Sequence, residues 1–365
     1  MAFICINIKS FVVYFFNTII CENFIKMKRI LFINTNSDIG GSSKWTKEQI
    51  EVCSKEFDCY LATNKKGWLS TKSNINRVLF SHLIQSRFSI RYLLLLSNYV
   101  RENKINIIVA SSANAGVYSR LLKLFNYKIR VVYVTHGWSA IYNGKRLKYL
   151  YILIEKFLSK LSDSILCISE YDYQSAIKII GINKGKLKKI PNSIFPILGT
   201  KKIHNNRIKI LSIARFTPPK RMDLLINSVK NIDIELHFIG DGELRAALER
   251  DAPDNVFFHG EIEDFSNFSD FDIFCLISDS EGLPLSAIEA MSCGMSLLLS
   301  NVGGCPELVL DNGILVENNV ADIRNAIIQI SSQIDTYGIE SKTLFENRYN
   351  LVNNQNEYLS YYQDI

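Results

Sequence analysis

Short, almost uninterrupted apolar runs recur along the 365-residue chain, and the stretches between them are long enough for a helix. Strands that are apolar on both faces are typical of parallel sheets covered by helices, so these runs predict βαβ units. The runs are Arg29–Asn34, Arg77–Ser81, Asn106–Ser111, Arg130–Thr135, Ser164–Ile168, Ile208–Ala214, Ile234–Ile239, Asn255–His259, Asp272–Ile277, Ser296–Ser300 and Gly313–Val316. The fold class that they predict is α/β, with doubly wound, Rossmann-like sheets.

The length of the chain predicts two such domains, and so does a break in the series of apolar runs at residues 196–206. A chain of 365 residues with 47% hydrophobic residues is too long for one ordinary core. We predict an N-terminal domain over residues 27–195, a linker over 196–206 and a C-terminal domain over 207–345. Residues 346–365 are expected to form a helix that packs back towards the N-terminal domain. Because ligands bind at the carboxyl ends of parallel strands, two facing domains predict one interdomain cleft.

Residues 1–26 precede the first predicted strand. Their apolar patches, Phe11–Phe16 and Thr18–Cys21, are interrupted by polar residues, and they contain neither a cationic start nor a small-residue cleavage site. The pattern therefore fits neither a secretory signal nor the roughly 18 unbroken apolar residues of a spanning helix. We expect translation to begin at Met27, and a weak amphipathic anchor is the alternative.

Charge is divided unevenly between the two halves. Residues 27–195 contain 27 Lys and Arg against 10 Asp and Glu, whereas residues 196–365 contain 13 against 25. This asymmetry predicts that the N-terminal half meets an anionic partner. No helix-turn-helix or zinc-finger spacing is present, so we expect no nucleic-acid partner. An anionic membrane surface fits better, with the apolar runs Tyr92–Leu96 and Tyr149–Leu158 partly buried in it and flanked by basic residues. The alternative is that both runs pack on the sheet.

Cysteine spacing bears on the compartment and on metal sites. The eight cysteines form no CxxC pair and do not cluster with the five histidines. Most lie in apolar runs, as small buried hydrophobic residues do. We therefore expect a reduced, cytoplasmic protein without a structural metal.

The stretch Ser278–Gly294 contains the most informative motif. It follows an apolar strand, Pro284 suits the first turn of a helix, and Gly294 suits the end of that helix. Backbone amides from Gly282 to Ser286 would then point into the cleft from the positive end of the helix. This arrangement predicts an anion site.

Four charged side chains accompany that anion site. Arg215 follows a strand and Lys220 begins the next helix, so the pair could neutralise a diphosphate. Glu281 lies on the entering loop and Glu289 lies within the helix, and a carboxylate can accept two hydrogen bonds from neighbouring sugar hydroxyls. Alternatively, Glu281 caps the helix, while Glu289 and Lys220 are solvated.

Two glycine elements complete an ordered set of motifs. Gly240-Asp241-Gly242 follows a strand, and Gly303-Gly304-Cys305-Pro306-Glu307 comes later. With the Arg215 and Lys220 pair and the two carboxylates, they make residues 208–316 resemble the retaining glycosyltransferases of family 4. That family has the two-domain GT-B architecture, so the resemblance implies two facing Rossmann-like domains.

The resemblance also implies a role for each matching residue. Arg215 and Lys220 would bind the donor diphosphate, Glu289 the ribose hydroxyls, and Glu281 the transferred sugar. His136, in the segment Val134–Trp138, matches a histidine that the family places beside that sugar. The residues implied to contact the donor are Gly40, Gly41, Arg215, Lys220, Gly242, Glu281, Gly282, Leu283, Pro284, Leu285 and Glu289. Those implied to be catalytic are His136, Glu281, Arg215 and Lys220.

The reaction implied by the resemblance is transfer of a sugar from a UDP- or GDP-sugar to a glycan or lipid-linked acceptor, with retention of configuration. Neither a metal nor another cofactor is expected. Family members with a basic front domain commonly act at the cytoplasmic face of the membrane, in surface-polysaccharide or glycolipid assembly.

The sequence departs from the family pattern in two places. Ala214 replaces the usual glycine before Arg215, a small change that leaves the loop possible. Residues 56–101 match nothing in the family, and acceptor recognition is expected there. The acceptor is therefore unassigned.

Three alternatives remain open at this point. An oxidoreductase is disfavoured because Gly240-Asp241-Gly242 lacks the third glycine of the dinucleotide-binding fingerprint. A catalytically silent sugar-nucleotide-binding protein would be recognised by its failure to turn over a donor. A non-hydrolysing sugar-nucleotide epimerase would give its product without any acceptor.

Overall fold

A computed structural model describes residues 27–86, 88–142, 147–197 and 207–365. The predictions for residues 1–26 and for most of the linker lie outside these ranges. The described chain forms two parallel sheets with helices on both faces, which confirms the predicted fold class.

The first sheet has seven strands in the order β3-β2-β1-β4-β5-β6-β7. They are β1 (Arg29–Ile33), β2 (Asp58–Thr63), β3 (Val78–Phe80), β4 (Ile107–Ala110), β5 (Arg130–Thr135), β6 (Ser164–Cys167) and β7 (Leu187–Lys189). β1 lies between β2 and β4, with Ile30 opposite Cys59 on one side and Ile107 on the other. The strand order reverses beside β1, which opens a crevice at the carboxyl end of that strand.

The second sheet has six strands in the order β10-β9-β8-β11-β12-β13. They are β8 (Ile208–Ile213), β9 (Ile234–Ile239), β10 (Val256–Phe258), β11 (Ile273–Leu276), β12 (Ser296–Ser300) and β13 (Gly313–Val316). The order again reverses beside the first strand, here between β8 and β11. Each half therefore offers one binding crevice.

The connecting segments are helical. The α-helices are α1 (Gly41–Cys53), α2 (Trp68–Lys72), α3 (Ile90–Glu102), α4 (Ala113–Leu122), α5 (Ser139–Tyr142), α6 (Lys148–Ser159), α7 (Glu170–Ser175), α8 (Met222–Ser228), α9 (Arg245–Arg250), α10 (Leu285–Ser292), α11 (Val320–Ser331), α12 (Ile334–Arg348) and α13 (Leu351–Asp364). A π-helical turn, Ala176–Ile180, continues α7. Short 3₁₀ turns lie at His82–Gln85, Lys184–Lys186, Asn267–Asp270 and Cys305–Glu307.

Two strands were not predicted. β2 begins with Asp58 and ends with Thr63, so its apolar run is too short to stand out in the sequence. β7 contains Lys188 and Lys189 and forms the edge of the sheet, where charged side chains are tolerated. Hydrogen bonds from neighbouring strands, rather than local hydrophobicity, establish both strands.

The last helix returns to the N-terminal half. The Tyr358 hydroxyl donates to the carbonyl oxygen of Pro191 at 3.1 Å, and Tyr362 lies 3.1 Å from the Gln49 side chain. The Tyr362 ring also packs edge-to-face on Phe32. One continuous apolar cluster includes residues of both halves, so the two halves pack together through a shared core.

None of the helices within the described ranges combines the length and the apolar character needed to cross a bilayer.

Candidate active site

Helix α10 starts at the carboxyl end of β11, as the sequence predicted. Pro284 is its N-cap residue, and Gly294 lies just beyond the helix with a left-handed φ of 73°. Leu283 and Leu285 are buried on either side of Pro284. Their side chains anchor the loop, while the amides of Leu285 and Ser286 have no partner within the helix and are available to an anion.

Backbone segments from both halves meet beside this loop. A Cβ atom on Gly282 would lie 3.1 Å from the carbonyl carbon of His136, and one on Gly303 would lie 1.8 Å from the carbonyl oxygen of Glu281. The amide of Gly304 donates to the carbonyl oxygen of Gly282 at 2.8 Å. Glycine is therefore required at Gly303, where the chains approach more closely than a side chain permits, and a side chain at Gly282 would displace the backbone of His136 by a few tenths of an ångström.

Lys220 and Glu281 form an ion pair in the C-terminal half, with 19% and 10% of their side chains exposed. An isolated bridge between Lys220 and Ser278 joins the two backbones. The predicted diphosphate-binding cation and the predicted sugar-binding carboxylate are thus neighbours. A donor that binds beside this ion pair could contact Lys220 with its leaving phosphate and Glu281 with its sugar.

Arg215 points across the cleft to the N-terminal half. One guanidinium nitrogen, Nη2, lies 3.3 Å from the position that a Cβ atom on Gly40 would occupy, and Gly41 faces open space. The Arg215 side chain is exposed, and no hydrogen bond or ion pair holds it within the described part of the chain. Its guanidinium is therefore free to bind an anionic ligand beside Gly40 and Gly41, which together are called the glycine loop below.

Glu289 forms an ion pair that the sequence did not predict. Its Oε1 atom lies 2.6 Å from Lys44 Nζ on α1, and its Oε2 atom is buried without a hydrogen-bond partner within the described ranges. Burial and the charge of Glu289 raise the pKa of Glu48, one turn along α1, to about 8. Glu48 is therefore mainly neutral at pH 7. The unpartnered Oε2 atom of Glu289 is available as a hydrogen-bond acceptor for a ligand.

His136 directly follows β5, and its backbone contacts Gly282 in the loop 278–284 that precedes α10, called the donor loop here after its predicted ligand. Its ring packs edge-on to Trp45, with ring centroids 5.2 Å apart. Burial lowers the pKa of His136 to about 4, so the imidazole is neutral at pH 7. The Nε2 atom is buried and has no hydrogen-bond partner in the part of the chain that is described. A ligand hydroxyl could provide that partner.

Asp172 holds the turn that carries His136. One of its carboxylate oxygens accepts from the amide of Gly137 at 3.2 Å, and its backbone oxygen accepts from the Trp138 indole at 2.9 Å. Burial raises the pKa of Asp172 to about 7. In the same half, the Asn192 side-chain amide reaches across and donates to the carbonyl oxygen of Leu283 at 2.7 Å.

One predicted donor contact occupies a supporting position. A Cβ atom on Gly242 would lie 2.6 Å from the backbone oxygen of Phe216, and the Gly242 amide donates to Asp241. Gly242 therefore supports the loop that carries Arg215. Its predicted contact with the donor stays a prediction.

The contacts above place Lys220 and His136 beside the loop that precedes α10 and Arg215 beside Gly40, and the structure adds other residues nearby. That these groups form one donor site stays a prediction. Sequence reasoning did not identify Lys44, Glu48 and Asp172, and it quoted Glu307 without a role. No local pattern marks the first three, because their partners are distant in the sequence. Within the described ranges, no group of three or more His, Cys, Asp or Glu side chains could hold a metal ion.

Both halves match models of known protein families. Residues 39–196 match the model described as Glycosyltransferase Family 4, and residues 207–333 match the one described as Glycosyl transferases group 1. The O-antigen biosynthesis glycosyltransferase WbnH of Escherichia coli is 40% identical over 316 residues, which cover 85% of this chain and 92% of that protein.

A second relative and a solved structure extend the comparison. The UDP-Gal:alpha-D-GlcNAc-diphosphoundecaprenol alpha-1,3-galactosyltransferase of Escherichia coli is 24% identical, covering 80% of this chain and 85% of that protein. The crystal structure of Anabaena HepE in complex with UDP and glucose superposes with a TM-score of 0.80, covering 93% of this chain and 100% of that one. Its sequence identity is 18%, so this likeness concerns the fold.

Proposed function

The chain belongs to the group 1, family 4 glycosyltransferases, and from that premise we propose that it moves a sugar from a nucleotide-diphosphate donor to a lipid-linked glycan with retention of configuration. The observation that carries this proposal is the arrangement around α10. The first turn of that helix and Lys220 provide positive charge beside Glu281, Glu289 lies further along the same helix, and the Arg215 guanidinium lies near Gly40 of the facing half. No cation other than these is needed to neutralise a departing diphosphate, so we propose a reaction without a metal cofactor.

Each residue has a distinct task in the proposed reaction. Arg215 and Lys220 stabilise the charge that develops on the leaving diphosphate, and the amides after Gly282 hold its oxygens. Glu289 accepts hydrogen bonds from the ribose. Glu281 and neutral His136 orient the transferred sugar, and closure of the two halves places the acceptor against it.

The relatives suggest the class of donor and acceptor. HepE was crystallised with UDP and glucose, and the galactosyltransferase is named for UDP-Gal and a diphosphoundecaprenol-linked sugar. WbnH is named for O-antigen biosynthesis. We therefore propose a UDP-sugar donor, with a GDP-sugar as the second choice, and a polyprenyl-diphosphate-linked acceptor in surface-polysaccharide assembly.

A two-stage experiment tests the proposed function. Thermal stabilisation by a panel of UDP- and GDP-sugars identifies the donor, because a bound ligand raises apparent stability by mass action. The selected donor is then incubated with a sugar-diphosphate-lipid acceptor, with and without EDTA, and the anomeric linkage is determined by NMR. A product formed without acceptor would favour an epimerase. Stabilisation without turnover would favour a silent binding protein, and loss of transfer in EDTA would contradict the metal-independent reaction.

Helix α6 supports a membrane partner for the N-terminal half. Most of its large apolar side chains face outwards, with 81% of Tyr149, 63% of Leu153 and 59% of Phe157 exposed. Its acidic residue, Glu155, is buried and pairs with buried Arg120 at 2.7 Å. The exposed apolar residues of this helix and its N-cap are Leu147, Tyr149, Leu150, Tyr151, Leu153, Ile154 and Phe157.

A helix that packs on a soluble core turns its apolar side chains inwards and its charged side chains outwards. Helix α6 has the opposite arrangement, with apolar side chains outside and a charged pair inside. Lys156 and Lys160 are exposed next to the apolar side chains, so an anionic lipid surface complements the helix in charge as well as polarity. The run Tyr92–Leu96 is divided, because Tyr92, Leu93 and Leu96 are buried in the core while Leu94 and Leu95 are exposed. We propose α6 as the element that binds the cytoplasmic leaflet.

The full-length protein should sediment with vesicles that contain anionic lipid at low salt, and raising the ionic strength should weaken binding. Replacing Leu150, Leu153 and Phe157 together by serine should reduce the bound fraction at least about threefold, since each removes apolar surface from the interface. A matched control replaces exposed Leu310 and Ile339 of the C-terminal half by serine and should bind like the wild type. Equal binding by all three proteins would exclude α6 as the docking helix.

A further inference from the structure

Glu307 joins the two halves of the molecule through the start of helix α7. Its Oε2 atom accepts from the amide of Glu170 at 2.8 Å, and its Oε1 atom accepts from the amide of Tyr171 at 3.1 Å. These amides belong to the first turn of a helix in the other half of the chain, where backbone donors lack partners within the helix. A carboxylate from the second half therefore caps a helix of the first half with both oxygens.

The segment that carries Glu307 also rests on the donor loop. Gly303 and Gly304 precede the 3₁₀ turn Cys305–Glu307, and Gly304 donates its amide to Gly282 at 2.8 Å. Gly303 has φ of 56° and packs against the backbone of Glu281. A displacement of Glu307 is therefore transmitted to the loop that precedes α10.

The helix that Glu307 caps holds the turn of His136. Asp172, in the first turn of α7, accepts from the amide of Gly137 with its carboxylate and from the Trp138 indole with its backbone oxygen. Gly282 in turn packs on the backbone of His136 and Gly137. The contacts close a ring that runs from the donor loop through Glu307 and α7 to His136 and back to the donor loop.

We propose that Glu307 is a positioning residue that holds His136 in register with the donor loop across the interdomain cleft. The inference rests on the proposed function, because it assumes that His136 and the donor loop act on the same sugar. Three backbone segments on two separate sheets must be aligned, and the bidentate cap of Glu307 is the charged contact between them. An error of about 1 Å in such alignment can lower a rate about 100-fold.

Kinetics of Glu307→Gln and Glu307→Ala test the proposal. Glutamine keeps the shape and one acceptor oxygen, whereas alanine removes both. We expect kcat to fall about 10-fold for Glu307→Gln and about 100-fold for Glu307→Ala. The dissociation constant of UDP, or of GDP if the donor screen selects it, should rise by no more than about threefold, because Glu307 contacts none of Arg215, Lys220 and Glu289. Only the amides after Gly282 belong to both the ring and the proposed nucleotide site.

Glu317→Gln is the matched control, since Glu317 is an exposed glutamate of the same half whose side chain contacts Asn301. It should behave like the wild type. A wild-type kcat in Glu307→Ala would overturn the inference. So would a parallel loss of kcat, nucleotide affinity and melting temperature in Glu307→Gln, because that pattern indicates a purely structural role. An inactive wild type would instead refute the proposed function.

Discussion

Replacing Lys220 or Arg215 by alanine should each lower kcat/KM for the sugar-nucleotide donor by about 30- to 1000-fold, corresponding to roughly 2–4 kcal/mol of transition-state stabilisation. The expectation follows from the proposed role of both cations at the donor diphosphate. Lys220 is mostly shielded from solvent beside Glu281, and Arg215 lies next to the glycine loop of the other half. In either variant, the negative charge that develops on the leaving diphosphate would be stabilised by one cation instead of two.

The two variants should differ in their effect on the unliganded protein. Lys220→Ala removes an ion pair with Glu281, so a small decrease in melting temperature is expected. Arg215→Ala removes no hydrogen bond or ion pair within the described ranges and should leave the melting temperature unchanged. Steady-state kinetics at saturating acceptor, with a thermal melt of each protein, measure both effects.

Lys209→Ala is a matched control for these variants. Lys209 lies on β8, the strand that leads to Arg215, and its Nζ atom is 3.8 Å from Glu235. It has the same charge but lies near the other end of the strand, and its replacement should leave kcat/KM unchanged. Turnover at the wild-type rate in both Lys220→Ala and Arg215→Ala would refute the assignment of the diphosphate site.

Replacing Glu289 by glutamine should weaken donor binding about 10- to 150-fold, or roughly 1.5–3 kcal/mol, which is the range for a hydrogen bond to a charged group. Glu289 is buried, and its Oε2 atom has no hydrogen-bond partner within the described ranges. Glutamine preserves the shape of the side chain but replaces one acceptor oxygen with a donor amide. Isothermal titration with the nucleoside diphosphate measures the loss.

The alternative role of Glu289 is to hold Lys44 across the cleft. Lys44→Met distinguishes the two roles, because it breaks the 2.6 Å ion pair while leaving the carboxylate for a ribose. We expect this variant to bind the nucleotide at least as tightly as the wild type. Glu249→Gln, which removes an exposed carboxylate paired with Arg245, should have no effect. If Glu289→Gln lowered only thermal stability, the assignment of Glu289 to the ribose would be wrong.

Much of the fold could be read from local chemistry. Buried parallel strands are apolar throughout, so the cores of eleven strands stand out in the sequence. Each of the eleven predicted runs overlaps one strand of the structure. The same holds for the start and the end of α10, because Pro284 and Gly294 have conformational preferences of their own. β2 and β7 were not predicted from the sequence, because pairing with neighbouring strands, rather than their own composition, makes them part of the sheet.

The sequence by itself determined the fold class and the position of α10, and it predicted an anion site at the start of that helix, because each depends on residues that lie close together in the chain. The tertiary structure alone decided how these pieces meet. Lys44 and Glu289 are 245 positions apart, and Glu307 and Glu170 are 137 positions apart. Contacts over such separations depend on how the two sheets face each other, and a single sequence contains no local signal for that arrangement. The same physical reason explains why α6 could be recognised as apolar from the sequence, while only the folded molecule shows that its apolar side chains point outwards.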